Sequence, residues 1–151
     1  MLLSGLCLAL LIVLVVYDAS ARYLFQSGSI ALQELEWHLF DGVILLSIAY
    51  ALHQNVHVRV DIFYDNFSPK IKAYINIFSA LFFILPLSLL IVYVGYEFVL
   101  LSYAQMEASS NPGGLEYRYI VKALMPLSFG LLLLQALSEI IHSLTKLKQL
   151  R

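Results

Sequence analysis

Four long apolar stretches decide what this chain can become: Leu2–Ala21, Leu35–Leu52, Ala73–Ala104 and Tyr119–Leu144. A hydrocarbon core about 30 Å thick is crossed by a helix of roughly 20 mostly apolar residues. The first and fourth stretches meet that length, the second only just approaches it, and the third exceeds it. The connections between them are short, so too little polar chain remains for a soluble domain. Composition agrees. The chain is 61% hydrophobic and 13% charged, where a soluble domain is about 45–50% apolar and 25% charged. The reading is an all-α integral membrane protein, one domain over residues 1–151 with four transmembrane helices. Membrane lipid is its expected surroundings. A net charge of −1 gives no pull toward nucleic acid.

Two local readings compete at the N-terminus. Leu2–Val16 followed by Ala19-Ser20-Ala21 has the outline of a signal peptide. No Lys or Arg precedes the apolar run, where a signal peptide carries its positive region, so the segment is taken as the first span. The single cysteine, Cys7, has no partner within the chain and reads as a small buried hydrophobe.

Orientation follows from basic residues, which favour the cytoplasmic side. Arg59, Lys70 and Lys72 between the second and third stretches, with Lys146, Lys148 and Arg151 in the tail, oppose Arg22, Arg118 and Lys122. The bias puts both termini in the cytoplasm. The segments after the first and third spans then face outward. Tyrosines such as Tyr17, Tyr50, Tyr103 and Tyr119, and Trp37, sit near proposed helix ends, where amphipathic rings settle. The third stretch is too long to cross upright, so it tilts, bends or projects. Pro86 and Pro126 are candidate kinks, Ser68-Pro69 a helix start, and Asn111-Pro112-Gly113-Gly114 a turn.

Buried polar groups near a membrane midplane mark a solute path. This chain has few: the centres of spans one, three and four are Leu, Ile, Val and Phe with scattered Ser and Gly. Its ionisable residues gather at span ends. Glu34, Glu36, Trp37, His38 and Asp41 open span two, with Glu34, His38 and Asp41 near one helix face. They read either as a solvated helix turn or as a contact, to a partner subunit or to Arg22. His57-Val58-Arg59-Val60-Asp61 alternates polar and apolar, giving either a charged connecting loop or a clasp between Arg59 and Asp61 or neighbouring helix ends. Glu107 and Arg118, with Glu34, Glu36 and Glu116, form a mixed-charge outer rim. Such a rim either stays solvated or steers a soluble partner. His53 and His142 raise the alternative of a haem-bearing anchor of a redox complex. A small stand-alone membrane protein is the other alternative. The chain contains no G-x-S-x-G, H-E-x-x-H, C-x-x-C or Walker-type loop. The expectation is a non-enzyme with no catalytic residue, metal or cofactor.

Taken in order, Arg22-Tyr23-Leu24-Phe25, Glu34-Leu35-Glu36-Trp37, His57-Val58-Arg59-Val60-Asp61, and Glu107-Ala108-Ser109 ahead of Gly113-Gly114-Leu115 form a pattern. In that order and spacing the chain resembles the small membrane subunit (DctQ-type) of tripartite ATP-independent periplasmic (TRAP) transporters. The resemblance covers essentially the whole chain, and the His57–Asp61 segment is its most specific element. It implies a soluble periplasmic protein that captures an organic acid and a large membrane subunit that carries it with sodium. The small subunit is implied to be a fixed scaffold against the large one, here free-standing, in a bacterial inner membrane. Arg22, Glu36, Trp37, His57, Arg59, Asp61, Glu107, Ser109, Gly113, Gly114 and Arg118 are then the interface or structural candidates.

Overall fold

The computed structural model describes residues 2–54, 64 and 66–149. Helix α1 covers Leu2–Phe25 and α2 Ile30–His53. The third span comprises α3 (Pro69–Ser79), a π-helical stretch at Ala80–Ile84, and α4 (Leu85–Ala104). The fourth comprises a short α5 (Tyr119–Lys122) and α6 (Leu124–Gln149). Among the described residues, all regular structure is helical. Four of these units are long and apolar enough to cross a membrane: Leu2–Phe25, Ile30–His53, Pro69–Ala104 and Tyr119–Gln149.

Each span runs beyond its apolar stretch. Apolarity marks what lipid covers, but a helix continues until a local signal stops it. Span three starts at Pro69 because Ser68 accepts a hydrogen bond from the Ile71 N–H at 3.5 Å, with proline in the first turn. α4 ends when Met106 takes a left-handed φ of 45° and the Glu107 N–H bonds back to the Ser102 carbonyl at 3.0 Å. Both prolines disturb their helices. The missing N–H of Pro86 removes the bond that would close on Phe82, and the helix widens just before it: the Leu85 N–H reaches Ala80. Pro126 likewise leaves the Lys122 carbonyl without its helical donor, and the break between α5 and α6 falls at Ala123.

The spans form a row rather than a closed bundle. α1 packs on α2, α2 on α6, and α6 on α3, the π stretch and α4. No comparable contact closes α1 or α2 against the third span among the described residues. The row is held by small side chains. Ala73, Ala80, Ser88, Gly95 and Ser102 are the buried residues of span three. They recur every seven positions except across the π stretch, where the step is eight. A π turn takes up one extra residue, so it keeps the small seam facing α6 past Pro86. On α6, Ser128, Leu132, Ala136 and Ser143 are buried. At Gly95 a Cβ would lie 3.2 Å from Met125 and 3.3 Å from Pro126, so glycine sets how closely α4 and α6 approach. The scattered Ser and Gly of the sequence are this seam. α1 buries only Ser4 and Asp18, and its Cys7 meets α2 at Gly42.

Candidate functional site

The N-terminal part of α2 and the connection between the third and fourth spans meet in one polar knot. Its centre is Glu34, 7% exposed. The carboxylate accepts hydrogen bonds from the Ser109 hydroxyl, the Leu115 N–H at 2.8 Å, the Asn111 amide at 3.2 Å and Arg118 Nη2 at 3.3 Å. Four donors from one loop thus converge on one side chain of another helix. The loop is shaped to deliver them. Asn111-Pro112-Gly113-Gly114 is a type II turn, closed from the Gly114 N–H to Asn111 O at 3.0 Å, with Gly113 at φ 79°. The Ser109 N–H bonds Leu115 O at 2.9 Å, and the Arg118 N–H bonds Glu107 O at 3.0 Å. Gly114 lies directly under the knot. A Cβ there would stand 2.8 Å from Glu34 Oε2 and run into Ser109.

A second ion pair, Lys122 with Glu107, ties the loop to the start of the fourth span. The hydrogen bond from Lys122 holds the Glu107 carboxyl below its usual range. Lys122 also stands 4.1 Å above the Phe98 ring, bringing α4 into the same corner. Beside the knot lies an open cleft of about 280 Å³, lined by Glu34, Trp37, His38, Asp41, Arg118, Val121 and Lys122.

Glu34, His38 and Asp41 share one face, as the spacing anticipates, and all three line this cleft. The anticipated contact of the acid cluster with Arg22 is not formed. Arg22 pairs one helical turn back with Asp18 instead, and Arg118 is the cation at Glu34. Among the named candidates, Glu107, Ser109, Gly113, Gly114 and Arg118 belong to the knot. Trp37 is 67% exposed and stacks edge-on with Phe40 at 6.2 Å. Glu36 is partly buried, with Oε1 lacking a hydrogen-bond partner among the described residues. His57, Arg59 and Asp61 lie outside the described residues. His53 of the haem reading approaches Gln135 of α6 at 3.3 Å through Nδ1.

Two polar features escape sequence reading. Asp18 is fully buried in the otherwise lipid-ready α1. At the other end of the molecule, Tyr64 donates to Asn76 at 2.9 Å, and Asn76 donates to Glu139 at 3.0 Å, joining spans three and four. Neither has a signal beyond a lone polar residue in an apolar run. Among the described residues, no three His, Cys, Asp or Glu side chains group as metal ligands. Glu34 spends its carboxylate on four donors from the loop, while Arg118 Nε stays buried without a hydrogen-bond partner among the described residues. The knot's chemistry is therefore attachment: it fixes the loop and the heads of spans two and four as one surface.

These elements define a multi-pass helical membrane protein whose polar groups serve structure at the span ends. A family model described as the DctQ component of tripartite ATP-independent periplasmic transporters matches residues 11–146. The chain belongs to the DctQ family and is the small membrane component of such a transporter. No curated protein matches it.

Proposed function

We propose that this chain is the scaffold of a sodium-driven transporter for an organic carboxylate. In this reading a periplasmic binding protein delivers the substrate, and a large membrane subunit carries it with sodium. The small subunit stays fixed beside the large one in the bacterial inner membrane. The observation that supports it best is the open row of helices. Among the described residues, α1 packs chiefly on α2, α4 buries only Ser88, Gly95 and Ser102, and no polar path runs between the spans. A row of this kind gives an elongated flank for a partner and no enclosed route for a solute. The knot then serves to keep the outer ends of the spans in register, so that this flank is rigid.

The test is reconstitution. The chain is expected to co-purify with a large permease subunit of the same transporter. Sodium-dependent uptake in proteoliposomes is expected only with the permease and the binding protein both present. Uptake by this chain alone would overturn the scaffold reading.

A further inference from the structure

At the end of the molecule away from the knot, the start of α3 and the end of α6 enclose a cleft of about 360 Å³. Its described walls are Lys70, Tyr74, Leu144, Leu147 and Lys148. The two lysines come from different helices, and none of these walls is acidic. Neither lysine has an ion-pair or hydrogen-bond partner among the described residues. Like charges brought to one cleft repel unless an anion sits between them. The positive end of the α3 dipole lies at the same place, adding to that field. Tyr74 supplies a hydroxyl, and the two leucines supply an apolar wall. Lys72, by contrast, is turned away, 5.2 Å from the ring of Tyr64.

We infer that this cleft binds an acidic phospholipid, with its phosphate between Lys70 and Lys148 and its acyl chain along Leu144 and Leu147. A free phosphate matches the cations but leaves the leucine wall without purpose. A zwitterionic lipid matches the wall but brings its own cation toward the lysines. The acidic lipid alone satisfies both halves. The site is separate from the knot, so its failure would leave the proposed scaffold role untouched.

The full chain in a neutral detergent is titrated with phosphatidylglycerol, phosphatidylcholine or inorganic phosphate. Native mass spectrometry counts bound lipid and thermal unfolding reports the shift. Phosphatidylglycerol is expected to stay bound and raise the unfolding temperature, whereas phosphatidylcholine and phosphate do neither. The double variant Lys70→Gln, Lys148→Gln is expected to lose about thirtyfold in phosphatidylglycerol affinity, two lysines' worth of attraction to an anionic surface. Lys148→Gln alone is expected to lose part of that affinity, whereas Lys146→Gln, an equal charge change on an exposed neighbour outside the cleft, is expected to keep it. Equal loss in Lys146→Gln, equal binding of phosphatidylcholine, equal protection by phosphate, or wild-type affinity in the double variant would each overturn the assignment.

Discussion

Asp18 shows how much one side chain weighs in a helix of this kind. Its carboxylate is fully buried, one oxygen pairs with Arg22 and the other has no partner among the described residues. Arg22 is half exposed. The pair is therefore unequal. Removing the aspartate leaves a guanidinium that water can reach, but removing the arginine leaves a buried charge with no counter-ion. Arg22→Gln is expected to lower stability by about 1–3 kcal/mol, the usual penalty for an unsatisfied buried polar group. Asp18→Asn should cost clearly less. Thermal unfolding of both variants in one detergent measures the difference, and equal losses would contradict the asymmetry. Position 18 carries no sequence signal for this, because an acid near a span end also suits an interfacial helix turn. The knot was half legible. Glu34, Glu107, Ser109, Gly114 and Arg118 all stand out as polar or glycine residues beside spans. Which acid pairs with which cation depends on how the loop folds back, a contact some seventy to eighty positions away that periodicity does not encode.

At the scale of elements, helix existence was plain and helix ends were not. A run of Leu, Ile and Val declares where lipid is. Caps such as Ser68 and left-handed turns such as Met106 declare where the backbone stops. The π stretch was legible only as a proline that must disturb something. Its purpose emerges from the seam: Ala80 to Ser88 is eight steps, and the neighbouring buried residues are seven apart. Deleting Phe83 should let this stretch wind as an α-helix and still deliver Ser88, Gly95 and Ser102 to α6. Deleting Leu90 instead turns Gly95 and Ser102 by about 100° away from it. Co-purification with the permease is expected to survive the first deletion and fail with the second. The opposite ranking would show that the π stretch is not a register device.

For the whole molecule, orientation rests on charge. Six Lys and Arg flank one side of the spans against three on the other, and the basic side is expected to face the cytoplasm. In a Cys7→Ser background, a cysteine replacing exposed Glu116 should react with an impermeant thiol reagent in intact cells. A cysteine replacing Gln149 should react only after the membrane is opened. Reversed labelling would invert the topology and move the lipid cleft to the outer leaflet. The row itself has a further consequence. Few side chains larger than alanine are buried in it, Leu52 and Leu132 among them. A strip one helix thick has almost no interior of its own, so its durability is lent to it by whatever lies along its flanks, and it grows with the supply of that neighbour. Copies made in excess of the permease would then be short-lived, because quality control removes what stays partly unfolded. The cell would keep the two membrane subunits in step by destroying the surplus, with no dedicated regulator.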